Sequence, residues 1–371
     1  MGFGNLSLWQ RERDQFPVTQ NLIYLNHAAV APLVKPAAEA MRWLAQDACD
    51  HGSYHYRTWL DAYEGLRVAA ARMISATRDE IAIVKNTSEG IATVALGIDW
   101  KAGDAVVAFR EEFPANYYPW LKLADKGVEV RWLPVTAPLD EIDGACKGAR
   151  LLAISFVNYL TGYKADLEGI GEICHRHGCF YFVDAIQGLG VYPVDVRKAR
   201  IDALSADGHK WLLGPEGCGV LYVKKELLDE IEPIEFGWTN VASYADYASR
   251  DMTLRPDAGR YECGTLNTIG IFGLKAAIEY LNETGVAQIG EAVDALAAQI
   301  GDGVRAKGYE LAAPVSSGIV SFRKEGVDSG AVVQRLREAG IVTAPRQGYV
   351  RSSPHFYIAP EEIARMIELI P

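Results

Sequence analysis

An alternation of short apolar runs with helical patterns, through the middle of the chain, constrains the fold most strongly. The runs lack clean polar alternation, which is typical of strands buried on both faces. Helical patterns separate them, for example at 116–125 and 166–177. Strands that alternate with helices predict an α/β fold with a mostly parallel sheet and helices on both faces. The runs are IAIV (81–84), AVVAF (105–109), VEVRWL (128–133), LLAISFV (151–157), CFYFVD (179–184), DALSA (202–206) and CGVLYV (218–223).

The C-terminal third has a different pattern and predicts a smaller α+β domain. Strand-like segments there alternate with longer helical ones. We therefore expect a large domain over residues 19–283 and a small domain over 284–371, against which residues 1–18 pack. The segments are helices at 269–283, 286–301, 328–339 and from 360, with strands at 318–323 and 349–354.

Composition and charge exclude several classes of protein. Of 371 residues, 49% are hydrophobic and 23% charged, which are ordinary values for a globular protein. No apolar run approaches the roughly 18 residues of a membrane span, and the charged N-terminus does not resemble a signal peptide. A net charge of −11 argues against nucleic-acid or membrane partners. We therefore expect a cytoplasmic protein.

The six cysteines predict neither a disulfide scaffold nor a metal site. They are scattered along the chain, and a reducing cytosol is the simplest setting. The segment from Cys174 to Cys179 contains two histidines, but its spacing fits no standard zinc pattern. It is typical of a helix end, with basic residues in the last turn and Gly178 as the C-cap.

Two segments after predicted strands carry chemistry. Lys210 lies in DGHKWLLGP, where an amine in partly apolar surroundings has a lowered pKa and can attack an aldehyde. Asp184 ends the strand CFYFVD, where a carboxylate can bond a protonated ring nitrogen, as pyridoxal phosphate requires for an electron sink. Gln187 can reach the hydroxyl of such a ring. Taken singly, Lys210 is more typical of a surface loop, and Asp184 has the alternative interpretation of a helix N-cap.

A third segment, NTSEG after the strand IAIV, is typical of an anion site. Asn86 and Glu89 have the spacing of a capping box. The free N–H groups of the first helical turn, with the hydroxyls of Thr87 and Ser88, suit a phosphate. Many helices begin in this way. A phosphate site, an aspartate and a lysine in this order are far more specific than any one of them.

With these segments, the sequence resembles the class V aminotransferase family of fold-type I pyridoxal-phosphate enzymes. It is most similar to the branch that contains isopenicillin-N-epimerase-like and cysteine-desulfurase-like proteins. The resemblance runs from about Tyr24 to the C-terminus. The motifs that carry it are NTSEG, EEFPANYYPW, SFVNYLTG, VDAIQGLGVYPVDV, ADGHKWLLGPEGCGVLYV, GTLN and VRSSPHFY.

The resemblance implies a role for each motif residue. Lys210 is the Schiff-base lysine, Asp184 the partner of the pyridinium nitrogen and Gln187 the partner of the ring hydroxyl. Asn158 lies near that hydroxyl and the substrate, and Arg351 clamps the substrate α-carboxylate. The phosphate is held by Thr87, Ser88 and His209 and, across a homodimer with shared active sites, by Gly264 and Thr265.

Two departures from the desulfurase pattern matter. The stretch 342–350, which corresponds to the loop with the nucleophilic cysteine of the desulfurases, contains no cysteine. This predicts that the chain does not form a persulfide. Phe113 occupies the segment that in the desulfurases carries the ring-stacking histidine, and we expect its ring to stack on the cofactor. His27 has two interpretations, a residue of the substrate pocket or a structural turn histidine.

Sequence alone leaves the reaction open. The family name favours an aminotransferase that acts on an amino acid. The alternatives are a lyase that cleaves the C–S bond of a cysteine derivative, an amino-acid epimerase, and a regulatory subunit that binds the cofactor without turnover. The intact Lys210, Asp184 and Arg351 argue against the last of these. Neither a G-x-S-x-G elbow nor a G-x-G-x-x-G motif supports a hydrolase or a nicotinamide enzyme.

Overall fold

The computed structural model describes residues 6–371 of the chain. Its α-helices are α1 Leu8–Glu12, α2 Lys35–His51, α3 Tyr56–Ile74, α4 Thr87–Gly97, α5 Tyr118–Lys122, α6 Leu139–Cys146, α7 Leu167–His177, α8 Thr268–Thr284, α9 Val286–Ala306, α10 Ser329–Glu338 and α11 Pro360–Leu369. Its strands are β1 Ile23–Tyr24, β2 Ile81–Val84, β3 Ala105–Phe109, β4 Glu129–Leu133, β5 Leu151–Ser155, β6 Phe180–Asp184, β7 Ala203–Asp207, β8 Gly219–Val223, β9 Glu310–Leu311, β10 Val320–Arg323, β11 Ile341–Val342, β12 Ala344–Arg346 and β13 Tyr349–Ser352.

Seven strands form the main sheet, in the order β2-β8-β7-β6-β5-β3-β4. The strands β4, β3, β5, β6 and β7 pair in parallel. Strand β8 runs antiparallel to both of its neighbours, β7 and β2. The mostly parallel α/β sheet predicted from the sequence is confirmed, with one reversed strand that the sequence pattern did not reveal.

Burial on both faces explains why the strands are apolar without alternation. In β5, Leu152 and Ile154 belong to the hydrophobic core on one side of the sheet. Leu151 and Ala153, which alternate with them, belong to the core on the other side. Successive side chains of a strand point to opposite faces. Each strand residue therefore needs an apolar side chain whichever face it occupies.

The helical pattern predicted at 116–125 is broken in the structure. Short 3-10 turns at Pro114–Asn116 and Leu123–Lys126 flank α5, which is only five residues long. Pro114 and Pro119 lie in the first turns of these pieces. Proline lacks the N–H that a continuous helix needs in its interior. The segment after β3 is therefore a compact turn, and it brings Phe113 to the edge of the sheet.

A four-stranded antiparallel sheet, β12-β13-β10-β9, forms the smaller C-terminal layer. The described part of the N-terminal segment contacts this region. The ring of Phe16 stacks on that of Tyr357 at 3.7 Å between centroids, and Arg13 forms an ion pair of 2.8 Å with Glu362. We propose the domain boundaries expected from the sequence, 19–283 and 284–371 with the N-terminal segment. Residues 1–5 of that segment lie outside the described part of the chain.

Helices α2 and α3 pack against α8 and connect the N-terminal third to the start of the C-terminal region. Gly273 of α8 lies against the side chain of Met41 in α2, where an added Cβ would come within 2.7 Å of the sulfur. Across residues 6–371, the helices are either too short or too polar for a bilayer crossing.

Candidate active site

A cavity of about 360 Å³ opens at the carboxyl ends of the parallel strands. This edge is where ligands bind in α/β folds, because the loops that follow neighbouring strands meet there. Nine of the residues singled out in the sequence line the cavity: Asn86, Thr87, Ser88, Phe113, Asp184, Gln187, His209, Lys210 and Arg351. The fold therefore brings together motifs that lie far apart in the chain.

Lys210 follows the turn at the end of β7 and directs its amine into this cavity. Burial lowers its pKa to about 8, and the nearby Asp184 carboxylate opposes this decrease. Close packing requires a residue without a side chain two positions earlier, at Gly208. A Cβ there would come within 2.8 Å of the Cys218 carbonyl oxygen. The turn thus presents a lysine that is partly deprotonated near neutral pH, as a nucleophile toward an aldehyde requires.

Asp184 is the last residue of β6, and its carboxylate is buried at the base of the cavity. Burial raises its pKa to about 6, although the carboxylate accepts a hydrogen bond of 3.1 Å from the Ile186 N–H. Above pH 6 this carboxylate is ionised. A buried anion needs a cationic partner, and a protonated ring nitrogen would supply one.

The N-terminus of α4 forms the polar end of the cavity. Asn86 caps the helix and accepts a hydrogen bond of 2.9 Å from the Glu89 N–H. The Thr87 hydroxyl accepts one of 2.9 Å from the Asp207 N–H, which fixes it between the two strand ends. His209 lies with Nδ1 3.0 Å from an Asp207 oxygen. Free N–H groups and hydroxyls at a helix start form a site for a phosphate.

Aromatic rings cover one side of the cavity. The centroid of the Phe113 ring lies 5.7 Å from Lys210 Nζ. Tyr159 packs edge to face against Phe113, with 5.3 Å between ring centroids. Phe113 is half exposed, so a flat ligand bound to Lys210 has room to stack against it.

Gln187 lines the cavity, but its amide is already engaged. Its Nε2 donates to the Ala28 carbonyl at 3.0 Å, and its Oε1 accepts from the Trp211 indole at 2.8 Å. One amide hydrogen is left to reach a ring hydroxyl. The bonds fix the orientation of this amide group.

Arg351 is buried in the cavity wall, and no acidic side chain of residues 6–371 pairs with it. Its Nη1 donates to the Tyr159 carbonyl at 2.7 Å, and its Nε has no hydrogen-bond partner among the described residues. Burial, followed by repulsion from Arg346, lowers its pKa to about 10. A buried cation without an anion is costly, so the site is electrostatically prepared for a carboxylate.

Asn158 is not among the residues that line the cavity, although its neighbours Val157 and Tyr159 are, and its predicted place near the ring hydroxyl stays a prediction. Its Oδ1 accepts hydrogen bonds from the backbone N–H groups of Leu160 and Thr161, and its Nδ2 donates to the Glu111 carbonyl. The turn that follows β5 thus occupies the amide oxygen and one of the two amide hydrogens. Asn158 therefore stabilises the loop that carries Tyr159.

His27 has a structural environment. It is fully buried, with Nδ1 2.8 Å from the Ser353 carbonyl oxygen and Nε2 2.6 Å from the Tyr357 hydroxyl. Both ring nitrogens are thus occupied, and burial lowers its pKa to about 4. Its neighbours Ala28 and Ala29 line the cavity, but His27 does not. Of the two interpretations, the structural turn histidine fits this geometry.

Gly264 and Thr265 line a separate surface depression, together with Tyr56, Arg57 and Trp238. They do not line the cavity that contains Lys210. Within one chain they are therefore not placed to hold its phosphate. Their predicted role requires a second subunit.

Sequence reasoning missed several residues of the cavity wall. Ser155, the last residue of β5, donates a hydrogen bond to the buried Glu112, whose pKa is raised to about 8 by burial. Tyr159 and Arg346 also line the cavity. The position of Ser155 at a strand end was a usable signal. Arg346 depends on a hairpin register that the sequence pattern does not define.

Three thiols also meet away from the cavity. The sulfurs of Cys146, Cys174 and Cys179 are buried and lie within 4.8 Å of one another. Cys146 is far from the other two in sequence, and it lies beside them because helix α6 packs on helix α7. The absence of a metal remains a prediction.

Comparison with known proteins identifies the chain. The family model for class V aminotransferases matches residues 23–356. The chain belongs to the class V aminotransferase family. It is 32% identical to a probable cysteine desulfurase of Methanothermobacter thermautotrophicus, over 96% of each chain.

Two solved structures of the family are similar to this one. The apo cysteine desulfurase from Thermococcus onnurineus matches with a TM-score of 0.90 and 28% identity, over 98% of this chain and 97% of that one. The cystine C–S lyase C-DES, in complex with cysteine persulfide, matches with a TM-score of 0.88 and 25% identity, over 96% and 100%. The fold-type I architecture expected from the sequence is confirmed, and the chain is a pyridoxal-phosphate-dependent class V enzyme.

The cavity fits this cofactor. Lys210 can bind its aldehyde, and the α4 N-terminus can hold its phosphate. The Asp184 carboxylate is buried, and no cationic side chain among the described residues is bonded to it. It can therefore pair with the protonated ring nitrogen. The half-exposed face of Phe113 suits the ring itself.

Proposed function

We propose that this class V enzyme is a C–S lyase that acts on a cysteine derivative. The observation that carries the proposal is a cavity that combines Lys210, Asp184 and Arg351 but, among its described lining residues, no cysteine. The similar proteins named above are a cystine C–S lyase and two cysteine desulfurases. Both kinds of enzyme break a C–S bond, and only the persulfide route of the desulfurases needs a nucleophilic thiol.

Pyridoxal phosphate, when bound, supplies an electron sink for the bonds at the substrate Cα. Asp184, ionised above pH 6, keeps a proton on the ring nitrogen. Arg351 binds the α-carboxylate and so fixes which bond at Cα faces Lys210. The Lys210 amine, with its pKa lowered to about 8, accepts the Cα proton.

The proposed reaction is a β-elimination. The Cα–H bond breaks and its proton moves to Lys210 Nζ. The Cβ–S bond breaks with its electron pair going to sulfur, which takes a proton from the same Nζ and leaves as a thiol. Hydrolysis of the remaining enamine consumes one water. The balance is one cysteine derivative and one water to one thiol, one pyruvate and one ammonium ion.

The comparisons support the lyase alternative better than the aminotransferase favoured by the family name. The two are distinguished by their products. Purified holoenzyme is incubated with cysteine, cystine, S-ethylcysteine, alanine and glutamate, with and without 2-oxobutyrate as amino acceptor. A lyase releases pyruvate and ammonium from the sulfur amino acids alone, together with an equal amount of the sulfur leaving group, which is sulfide from cysteine, a persulfide from cystine and ethanethiol from S-ethylcysteine. A 2-oxo acid formed from alanine or glutamate, or a racemised substrate, would overturn the lyase proposal.

The absence of a persulfide on a cysteine of the enzyme is part of the proposal. Cys263 is the cysteine beside the GTLN segment and is partly exposed, whereas Cys146, Cys174, Cys179 and Cys218 are buried. Cys263→Ser and Cys49→Ser should each keep full lyase activity. Sulfur transfer to an added acceptor that either substitution abolishes would contradict the proposal.

We further propose a homodimer in which Gly264 and Thr265 complete the phosphate site of the other subunit. Exposed aromatic side chains surround them, including Tyr56 and Trp238. Sedimentation should give twice the chain mass. Thr265→Ala should weaken cofactor binding although Thr265 does not line the cavity of its own chain, and a monomeric, fully loaded enzyme would contradict the proposal.

A further inference from the structure

We propose that Arg346 binds a second carboxylate, carried by the side chain of the substrate. The preferred substrate is then a cysteine derivative with an anionic group beyond its sulfur. This inference rests on the proposed C–S lyase function and adds the substrate class to it.

The hairpin of β12 and β13 places both arginines on one face. Arg351 in β13 pairs directly with Ala344 in β12. Residues opposite each other in an antiparallel pair point to the same face, as do residues two apart in one strand. Arg346 is two residues from Ala344, so it is the diagonal neighbour of Arg351. Both side chains line the cavity that contains Lys210.

The two guanidinium groups lack anionic partners within the described chain. Arg346 donates only to the neighbouring Pro345 carbonyl at 2.9 Å, and Arg351 donates to the Tyr159 carbonyl at 2.7 Å. Of the aspartates in the cavity wall, Asp207 lies 3.0 Å from His209 and Asp184 is at the base of the cavity. Like charges that face each other across strands are destabilising. Two carboxylates on one ligand would neutralise both cations.

The surroundings distinguish the two arginines. Arg351 is buried, and we have assigned it to the α-carboxylate. Arg346 is only partly buried, and the amide of the next residue, Gln347, donates to the Tyr159 hydroxyl at 2.7 Å. Diagonal neighbours are about 7–8 Å apart at their Cα atoms. Such a separation suits two carboxylates several bonds apart, with the C–S bond between them.

A pair of isosteric substrates tests this assignment. S-(2-carboxyethyl)cysteine carries the second carboxylate, and S-(2-carbamoylethyl)cysteine replaces it with a neutral amide of the same shape. The wild-type holoenzyme should prefer the carboxylate by about tenfold to a hundredfold in kcat/KM, the range for a hydrogen bond to a charged group. Arg346→Gln should bring this ratio to about one. Arg346→Lys should restore part of the preference.

The matched control is Arg323→Gln. Arg323 lies in β10 of the same small sheet and is exposed, and it does not line the cavity. Its loss removes the same charge from the same layer. It should leave the substrate ratio at the wild-type value. An equal fall in the ratio for both variants would show a general effect of charge and overturn the assignment.

Binding provides a readout that is independent of turnover. Calorimetry of the Arg346→Gln and wild-type holoenzymes uses the analogues of S-(2-carboxyethyl)cysteine and its amide in which a methylene replaces the sulfur, so that no leaving group is present, and it gives four dissociation constants. If S-ethylcysteine is cleaved but the wild type does not distinguish the pair, the second-carboxylate proposal is wrong and the lyase proposal stands. If no cysteine derivative is cleaved, the lyase proposal is wrong. Equal dissociation constants for the two compounds would then overturn the second-carboxylate proposal as well.

Discussion

The Arg351 guanidinium donates a hydrogen bond of 2.7 Å to the backbone carbonyl of Tyr159. This bond connects the small sheet to the loop after β5, on which Tyr159 packs against Phe113. Arg351 is thereby held in the cavity wall with donors to spare, because a guanidinium has five. We propose that the free donors bind the α-carboxylate of a substrate.

Replacement of Arg351 should therefore weaken catalysis without removing the cofactor. We expect Arg351→Gln to lower kcat/KM by about tenfold to a hundredfold, since a hydrogen bond to a charged group contributes about 1.5–3 kcal/mol. Arg351→Lys should recover only part, because an ammonium lacks the planar fork. Steady-state kinetics and the visible spectrum are measured together. Loss of the cofactor spectrum, or unchanged activity, would refute the assignment.

Replacement of Asp184 should change the turnover rate more than the occupancy of the cofactor site. Asp184→Ala removes the carboxylate that keeps the ring nitrogen protonated, so turnover should fall strongly while the cofactor still binds, though more weakly. Asp184→Asn serves as the isosteric control, because it keeps the shape and loses the charge. The measurements are kcat and cofactor dissociation constant. A near wild-type rate in either variant would contradict the assigned role.

The capture of pyridoxal phosphate by apoenzyme should depend on pH through Lys210. Its pKa is lowered to about 8 by burial, so the reactive free amine is the minor form below pH 8 and the main form above it. The capture rate should rise about tenfold per pH unit below 8 and level off above it. In Asp184→Ala the midpoint should move to lower pH, because the carboxylate raises the lysine pKa. A midpoint near 10.5 in stopped-flow absorbance would contradict this.

Acid should destabilise the fold through His27. Its pKa falls from 6.5 to about 4 on burial, so the unfolded chain binds a proton that the folded chain does not. Stability is therefore complete above pH 6.5 and is lost as the pH falls toward 4. Between pH 7 and 5 the loss from this group is about 2 kcal/mol. The free energy of unfolding is measured in urea at each pH. On acidification His27→Gln should lose about 2 kcal/mol less of it than the wild type, and parallel pH profiles of the two proteins would refute the prediction.

Much of the sheet and about half of the residues that line the cavity could be predicted from the sequence. Residues that directly follow parallel strands meet at one edge, so Asp184 and Lys210 lie together once the strand pattern is recognised. The direction of β8 could not be predicted. An apolar run that is buried on both faces has the same pattern in either direction, and the antiparallel pairing of β8 with β2 and β7 depends on tertiary packing.

The remaining residues of the site depend on register and on local competition for hydrogen bonds. Arg346 faces the cavity because of the pairing within the β12–β13 hairpin. Asn158 turns away because three backbone and side-chain groups of its own loop occupy its amide oxygen. His27 does not line the cavity because the Ser353 carbonyl and the Tyr357 hydroxyl lie within hydrogen-bond distance of its two ring nitrogens. The contacts of His27 join segments that are far apart in the chain, and no local pattern predicts them.

The covalent attachment of the cofactor tests the central assignment most directly. Holoenzyme is reduced with borohydride, digested, and mapped by mass spectrometry for the pyridoxyl group. The account predicts a single modified residue, Lys210, in the peptide that contains GHKWLLGP, and no covalent attachment in Lys210→Ala. A pyridoxyl group on any other lysine of the native enzyme would contradict the active site described above.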